Sequence, residues 1–181
     1  MSHNFIISKI SNMEYKEKSP VSIIYGKLET KFGKSVLAFL ENKICFVSFG
    51  DEFNSGIGIL KTTFQNAHFT CDDSIATNKI HYFDPNTTDD IKLILKGTEF
   101  EIMVWEYLLQ IKKGTTVPYE EVAKGIGKPK AIRAVANAIA KNNIAFFIPC
   151  HRVVSKNGDP GKYGWGRDRK LKMLADENVF F

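Results

Sequence analysis

The hydrophobic pattern of the chain changes near residue 98, and this change limits the possible folds. Before it, short apolar runs are broken by turn residues, as in β-strands. After it, apolar residues recur at helical spacing. A chain of 181 residues, 44% of them hydrophobic, is long enough for one domain with a good core or for two small ones. The pattern therefore predicts an α+β protein, with a sheet domain followed by a mostly helical domain.

The first half predicts a small antiparallel sheet. Residues 22–25, 35–40 and 44–49 have the composition of strands, and residues 41–43 predict a hairpin between the last two. Residues 53–64 favour a short helix despite their glycine and serine residues. The polar, proline-containing segment 84–90 predicts a linker. We therefore expect a structural sheet domain over residues 1–90 and a second domain over residues 91–181.

The second half predicts a helix-turn-helix. Thr98 is a suitable N-cap for a helix whose apolar stripe comprises Phe100, Val104, Leu108 and Ile111. A short helix over residues 118–123 stops at Gly125, and a third helix covers residues 129–141. Two short helices joined by a tight, glycine-containing turn are typical of this motif, so we expect a winged-helix-like domain.

The third helix carries mostly small side chains on its surface, and Arg133 projects from it. Its alanines include Ala131 and Ala134, and small side chains let a helix approach another surface closely. Internal packing and DNA binding both explain such a helix. Proteins that read the major groove use large side chains to reach base edges, so DNA binding here predicts little direct sequence readout.

The net positive charge of the chain comes entirely from its second half. Residues 1–96 carry 11 Lys/Arg and 11 Asp/Glu, whereas residues 97–181 carry 14 and 9, which accounts for the whole net charge of +5. A basic surface on one domain is typical of a protein that binds phosphate groups, including those of nucleic acids. Solvated lysines without a partner are the alternative.

The three cysteines are sparse and lack C-x-x-C spacing, which argues against a disulfide framework and a four-cysteine zinc site. His68 and Cys71 could supply two metal ligands, with Cys45 and His81 as further candidates. A strand with one buried thiol and a surface histidine is the simpler alternative, and we expect no metal.

No apolar run reaches the roughly 18 residues of a membrane span, and the start lacks a secretory signal pattern. We therefore expect a cytoplasmic protein without membrane contact.

Residues 149–153 read Pro-Cys-His-Arg-Val and predict a positioned nucleophile. Cys150 follows the apolar run 144–148, and the proline before it fixes φ and removes a backbone donor. We expect a rigid segment to end here and present the thiol at its edge. A free thiol with a pKa near roughly 8.5 is mostly protonated at neutral pH, so a base must lie close.

The motifs of the second half resemble those of the O6-alkylguanine-DNA alkyltransferases, also called methylated-DNA–protein-cysteine methyltransferases. The matching blocks occur in the family's order and comprise residues 97–100, 104–105, 117–119, 133–138, 142–143, 148–154 and 161–166. The first half matches only loosely, as a sheet domain of variable sequence.

The resemblance implies direct repair of double-stranded DNA. Such proteins move the alkyl group of O6-alkylguanine permanently to their own cysteine, so each molecule acts once. Cys150 is implied as the acceptor, and O4-alkylthymine is a further candidate substrate. The alkylated base must leave the base stack to reach a thiol in a pocket, which requires base flipping. We expect no cofactor, and we expect a monomer.

The resemblance implies three partners for the thiol. His151 is the base and acts through a bridging water, because adjacent residues rarely face one another. Glu177 holds its imidazole in the base-competent tautomer. Asn142 braces the turn between the recognition helix and the active-site segment.

The resemblance also implies the residues that contact DNA. Arg133 is the finger that takes the place of the flipped nucleotide, and Ala131 and Ala134 lie on the helix that meets the DNA. Tyr119 assists rotation of the nucleotide at its phosphate.

Besides Tyr119 and Cys150, four residues are implied in or near the base pocket. The hydroxyl of Tyr119 or the backbone amide of Gly164 donates to the O6 side of the base, while the carbonyls of Cys150 and Val153 accept from the exocyclic amine. Tyr163 lies in the same block, and Lys170 matches a lysine near the pocket rim. Gly164 stands where family members often carry serine, which leaves the range of accepted alkyl groups open.

Three other functions fit the sequence less well. A cysteine hydrolase needs a second, distant histidine, and only His3, His68 and His81 remain. Relatives that recognise lesions without chemistry carry another residue in place of the cysteine, whereas Cys150 is present. Regulators that respond to alkylation carry an extra cysteine-rich metal domain, which these 181 residues lack. Single-turnover DNA repair is therefore our prediction.

Overall fold

The computed structural model describes residues 4–17, 20–84 and 87–181. The chain forms two compact units, Met1–Gly97 and Thr98–Phe181. The boundary falls after residue 97 rather than after residue 90, because Asp90–Gly97 is a strand in the sheet of the first unit. Within the expected linker, residues 85–86 lie outside the described residues. No helix of the described ranges is long and apolar enough to cross a membrane.

The first unit is built on one six-stranded sheet. The elements in chain order are β1 (Asn4–Ser11), α1 (Asn12–Glu17), β2 (Val21–Thr30), β3 (Gly33–Leu40), β4 (Lys43–Gly50), α2 (Phe53–Thr63), β5 (Ala67–Cys71), α3 (Asp73–Thr77), a 3-10 helix (Ile80–Phe83) and β6 (Asp90–Gly97). The strand order across the sheet is β1-β6-β4-β3-β2-β5.

The sheet is mixed rather than antiparallel. The three predicted strands lie within β2, β3 and β4 and pair antiparallel, as expected. However, β1 pairs parallel with β6, β5 pairs parallel with β2, and β6 pairs parallel with β4. These parallel pairings join strands that are distant in sequence, so the local pattern did not indicate them. The predicted hairpin is a two-residue turn, in which Glu41 and Asn42 both have positive φ, at 50° and 59°.

The central strands are buried on both faces because helices cover the two sides of the sheet. A Cβ atom at Gly56 of α2 would lie 2.9 Å from Val36 of β3. A Cβ atom at Gly26 of β2 would lie 2.8 Å from Ala76 of α3. Gly26 is paired with Leu37, and adjacent strand residues point to opposite faces, so α2 and α3 lie on opposite sides of the sheet.

The two cysteines of the first unit lie on different strands of the sheet. His68 and Cys71 are exposed on β5, while Cys45 is buried in β4. The strand was predicted correctly, but the expectation that its thiol is buried was wrong, because β5 is an edge strand of the sheet. In the described part of the chain, no group of three or more His, Cys, Asp or Glu side chains could hold a metal ion.

The second unit is mostly helical. Its elements are α4 (Glu99–Leu108), β7 (Val117–Pro118), α5 (Tyr119–Gly125), α6 (Ile132–Ala140), a 3-10 helix (Cys150–Arg152), β8 (Val153–Val154) and α7 (Arg167–Asp176). Together with the sheet domain, these helices confirm the α+β class. The strands β7 and β8 form a short parallel pair.

A capping box begins α4, as the sequence predicts. The hydroxyl of Thr98 accepts from the amide of Glu101, and the Glu101 carboxylate accepts from the amide of Thr98. The indole of Trp105 donates to the carbonyl of Ala138 at 2.8 Å, which fixes α4 against α6.

The predicted helix-turn-helix consists of α5 and α6. Gly127 follows the end of α5 with φ of 72°, a conformation that favours glycine. The amides of Lys128 and Gly127 donate to the carbonyls of Ala123 and Lys124, which is the hydrogen-bond pattern of a Schellman motif. This motif stops α5 and turns the chain towards α6.

The close approach of α2 to the sheet predicts opposite effects for two glycines of one helix. Gly56→Ala should destabilise the protein by about 1–3 kcal/mol, because its Cβ would lie 2.4 Å from the Ser48 hydroxyl and 2.9 Å from Val36. Gly58→Ala meets nothing within 4 Å, and it should stabilise by about 0.5–1 kcal/mol through helix propensity. Urea unfolding of both variants measures the difference, and equal effects would contradict this packing.

Candidate active site

Cys150 opens the 3-10 helix Cys150–Arg152 and is buried, with 5% of the residue exposed. The segment before it is rigid, since Ile144, Ala145, Phe147 and Ile148 are all buried. Phe146 has φ of 74°, which is unusual for a bulky residue, and its ring stacks on that of His151 at a centroid distance of 6.4 Å. The thiol therefore follows a segment whose conformation is held by packing.

Asn142 joins the turn after α6 to the thiol. Its side-chain oxygen accepts from the amide of Ile144 at 2.9 Å. Its side-chain nitrogen donates to the carbonyl of Ile148 at 3.0 Å and to the Cys150 sulfur at 2.9 Å. One buried amide thus holds both ends of the segment between residues 142 and 150 and contacts the sulfur directly.

His151 and Glu177 form a buried pair. The imidazole Nε2 lies 3.0 Å from Oε1 of Glu177, and both side chains are almost fully buried. An ionised carboxylate can only accept, so Nε2 carries the proton in the neutral ring and Nδ1 has the lone pair. Nδ1 is buried and has no hydrogen-bond partner among the described residues. It is therefore the nitrogen of this ring that can act as a base.

Two further groups hold the Glu177 carboxylate. Arg152 donates from Nε to both carboxylate oxygens, at 3.2 and 3.0 Å, and from Nη2 to Oε1 at 2.8 Å. The amide of Gly114 donates to Oε2 at 3.1 Å. Gly114 has φ of 77°, and a Cβ atom there would lie 3.1 Å from the backbone oxygen of Glu177. A glycine therefore suits this position in both conformation and space.

Burial and hydrogen bonds shift the pKa values of these groups in different directions. Burial raises the pKa of the Cys150 thiol, while the amide of Asn142 and the hydroxyl of Tyr163 oppose that rise. Burial also lowers the pKa of His151, against the effect of Glu177. For Glu177, burial acts to raise the pKa, but the bonds from His151 and Arg152 outweigh it and lower the pKa to about 2. At neutral pH the resting site thus holds a thiol, a neutral imidazole and a carboxylate.

Lys170 is buried, with 1% of the residue exposed, and its expected position near the pocket rim stays a prediction. It is part of α7, and its ammonium donates to the carbonyl of Val153 at 2.6 Å and to that of Pro160. Burial lowers its pKa to about 8. The carbonyl of Val153, expected to accept from a base, already accepts from this ammonium.

A cavity of about 350 Å³ opens beside the thiol. Its lining residues are Tyr119, Ala136, Ile139, Ala140, Asn142, Cys150, Lys162, Tyr163, Gly164 and Trp165. The Tyr163 hydroxyl lies 3.9 Å from the Cys150 sulfur and 3.6 Å from that of Met173. Burial raises the pKa of Tyr119 and, more strongly, that of Tyr163, so both phenols remain hydrogen-bond donors at neutral pH.

Helix α6 contributes both to the cavity and to a basic surface. Ala136 and Ala140 line the cavity, and Arg133 lies three and seven residues before them, on the same side of the helix. Arg133 and Ala134 are exposed, and Ala131 is half-buried at the N-cap. Exposed cations on α5, the turn and α6 extend this surface: Lys124, Lys128, Lys130 and Arg133.

Most of the predicted site residues lie near one another in the second unit. Cys150, Asn142, Tyr119, Tyr163 and Gly164 meet at the cavity, and His151 with Glu177 forms the buried pair. Arg133, Ala131 and Ala134 lie on the α6 surface. Val153 and Lys170 are buried and are not lining residues of the cavity.

Sequence reasoning missed several residues of the site. Arg152 and Gly114 bind Glu177, while Lys162 and Trp165 line the cavity. The position of Arg152 beside His151 was the available signal, because an arginine next to a proposed base often pairs with its carboxylate. No comparable local signal identified Gly114, whose partner is 63 residues away.

Comparisons with known proteins agree with this geometry. Residues 99–179 match the family model described as the 6-O-methylguanine DNA methyltransferase, DNA binding domain. A probable methylated-DNA–protein-cysteine methyltransferase of Acanthamoeba polyphaga mimivirus is 40% identical over 152 residues, which are 83% of this chain and 93% of that protein. The crystal structure of Mycobacterium tuberculosis OGT in complex with DNA has a TM-score of 0.70 and 32% identity, covering 86% of this chain and 93% of that one.

A longer relative matches over part of its length. The regulatory protein Ada of Salmonella typhimurium is 36% identical over 162 residues, which are 87% of this chain and 46% of Ada. The chain thus spans about half the length of that protein. The second unit combines a buried cysteine, a buried His-Glu pair and a helix-turn-helix. The chain belongs to the methylated-DNA–protein-cysteine methyltransferase family.

The low pKa of Glu177 predicts how stability depends on pH. Because this folded-state pKa of about 2 lies below the usual value near roughly 4.3, the stabilisation is fully present above about pH 4.5 and is lost as pH falls towards 2. The free energy of unfolding of Glu177→Gln at pH 7 should therefore be about 3 kcal/mol lower, since the substitution leaves the partly buried Arg152 without its anion.

Urea unfolding at pH 7, 5 and 3 checks this expectation. The difference between the wild type and Glu177→Gln should shrink at pH 3. The control is Glu120→Gln, whose exposed pair with Lys156 should contribute only about 0–1 kcal/mol at any of these pH values. A gap for Glu177→Gln that does not change with pH would show that the carboxylate charge is not the stabilising feature.

Proposed function

We propose that this chain repairs double-stranded DNA directly, by moving the alkyl group of O6-alkylguanine to the sulfur of Cys150. The observation that carries the proposal is that a thiol, next in the chain to a candidate base, and the helix that bears Arg133 both lie at one cavity. A buried thiol lies beside a cavity of about 350 Å³, and the adjacent histidine has its lone-pair nitrogen free of protein partners in the described structure. Helix α6, which carries the exposed Arg133, forms part of the cavity wall. Membership of the family supports the reaction class, and the DNA complex of the OGT relative supports DNA as the partner.

Activation of the thiol begins at His151. Its Nδ1 takes the proton of the Cys150 thiol through a water molecule, and the carboxylate of Glu177 stabilises the imidazolium that forms. Asn142 donates to the sulfur at 2.9 Å and stabilises the thiolate. The proton transfer is needed because burial holds the resting thiol in its protonated, weakly nucleophilic form.

The transfer itself exchanges one bond for another. A lone pair of the Cys150 sulfur forms the S–C bond to the alkyl carbon, the C–O6 bond breaks, and its electron pair remains on the guanine, which then takes a proton. The hydroxyl of Tyr119 and the amide of Gly164, both at the cavity, donate to the base as charge develops on O6. The product thioether is stable, so each molecule acts once. Nucleophile and base are side chains, and the reaction uses no cofactor.

Base flipping brings the lesion to the cavity. Arg133 lies on the side of α6 that carries the cavity-lining alanines, so it can occupy the space left by the flipped nucleotide. The small side chains of Ala131 and Ala134 let α6 approach the groove, and the exposed lysines contact phosphates. The affinity for DNA should therefore fall steeply with salt concentration and depend little on the DNA sequence. Cytoplasmic location, a monomeric state and activity on O4-alkylthymine stay predictions.

The acceptor can be identified by intact-protein mass after incubation with duplex DNA containing one O6-methylguanine. We expect a gain of one methyl group per molecule, which peptide mapping places on Cys150. Cys150→Ser should gain none and still bind the lesion, because the oxygen nucleophile is far less reactive. Cys71→Ser, which removes the exposed thiol, is the matched control and should react like the wild type. If the wild type bound the lesion tightly without gaining mass, the proposed transfer would be wrong and the protein would only recognise the lesion.

The role of Arg133 can be separated from the chemistry by comparing two substrates. Arg133→Ala should slow transfer from duplex DNA by roughly tenfold or more, and it should leave transfer from free O6-methylguanine unchanged, since only the duplex substrate must be flipped. Lys130→Ala, which removes an exposed cation nearby, should weaken DNA binding and reduce its salt dependence. Equal slowing of Arg133→Ala on both substrates would show that the finger assignment is wrong.

A further inference from the structure

The side chain of Arg152 has two sets of partners on different segments. Its Nε and Nη2 donate to the carboxylate of Glu177, just after α7, and its Nη1 donates to the carbonyl of Ile111 at 2.6 Å, after the end of α4. The side chain is 15% exposed, and Arg152 is not among the lining residues of the cavity. Arg152 therefore acts on the site through other residues.

The contacts of Arg152 restrict how Glu177 can be oriented. A guanidinium is a planar fork, and two of its nitrogens bind the carboxylate while the third binds a backbone carbonyl. The carboxylate can then rotate little, and its Oε1 stays 3.0 Å from Nε2 of His151. A lysine has a single nitrogen and cannot hold the three groups in one plane.

The charge of Arg152 also affects the imidazole. Alone, the buried Glu177 would favour a charged imidazolium, which cannot accept a proton. Arg152 neutralises that carboxylate, and both Arg152 and Lys170 oppose positive charge on His151. The charged or titratable groups that act on the imidazole are thus Glu177, Arg152 and Lys170, with the thiol of Cys150 beside it in the chain.

We propose that Arg152 is a positioning residue for alkyl transfer, which fixes the Glu177 carboxylate so that His151 keeps its proton on Nε2 and its lone pair on Nδ1. This inference rests on the proposed function. It assigns to the arginine of the Pro-Cys-His-Arg motif the selection of the tautomer that serves as base. The same contacts anchor the loop after α4, whose Gly114 amide is the fourth N–H donor to Glu177.

Nitrogen NMR of the imidazole tests the tautomer directly. In protein labelled with ¹⁵N-histidine, two-bond N–H correlations at pH 7 should show His151 with its proton on Nε2, the resonances being assigned with His151→Gln. In Arg152→Gln and Arg152→Lys, a mixture of tautomers or a charged ring should replace this state. A ring that keeps the wild-type tautomer in both variants would overturn the proposal.

Transfer rates supply the second readout. Both Arg152 variants should transfer methyl groups about 10–100-fold more slowly, by analogy with the loss of a residue that orients a metal-ligating histidine. The loss should be equal for duplex DNA and for free O6-methylguanine, because Arg152 acts on the acceptor and not on the DNA. A loss confined to duplex DNA would instead make Arg152 a DNA contact.

A control variant and a second Arg152 variant allow the test to be interpreted even if Arg152→Gln does not fold. Arg167→Gln removes a largely exposed arginine paired with Asp159 in the same unit, and it should keep the wild-type rate on the free base. If Arg152→Gln does not fold, Arg152→Lys carries the test, since it keeps the buried charge and loses the planar fork. Failure of the wild type to transfer any methyl group would refute the proposed function, whereas the NMR comparison would still decide whether Arg152 sets the tautomer.

Discussion

The buried carboxylate of Glu177 is the interaction on which the rest of the site depends. An ion removed from water costs several kcal/mol unless other groups replace its hydration, and here four N–H groups do so. They come from His151, Arg152, which provides two, and Gly114. These donors lie on the loop after α4 and on the 3-10 helix at Cys150, and Glu177 follows α7. The need to satisfy one anion therefore brings three segments of the second unit together.

The same surroundings both keep the Cys150 thiol protonated at rest and supply the groups that can activate it. A buried cysteine resists ionisation, so the resting sulfur is protected from reaction with solutes in general. In the proposed single-turnover reaction such protection matters, because every unintended modification of Cys150 would end the function of that molecule. The thiolate forms only where Asn142 can donate to it and Nδ1 of His151 can take its proton. The reactivity is thus restricted to a substrate that enters the cavity.

Local features of the chain were predictable, and contacts between distant segments were not. The capping box at Thr98, the glycine-containing turn after α5 and the exposed nature of Arg133 all follow from residues within a few positions of one another. The pairing of β1 with β6 joins residues 86 positions apart and left no signal in either strand. The bond from the Lys170 ammonium to the carbonyl of Val153 likewise joins residues 17 positions apart, and no local pattern indicated it.

The composition of α6 follows from its two tasks. On the side of the helix that faces the cavity, the alanines at positions 136 and 140 leave room for a base, and larger residues there would fill part of its volume of about 350 Å³. Arg133 lies about one turn before Ala136 on the same side of the helix. The neighbouring Ala134 is exposed and has a small side chain, so it does not protrude from the helix surface. A helix with large polar side chains could read a sequence, but it would then bind few of the sites at which damage occurs. Small side chains with one long cation instead suit the proposed repair of DNA, in which the helix approaches any sequence and supports an extruded nucleotide.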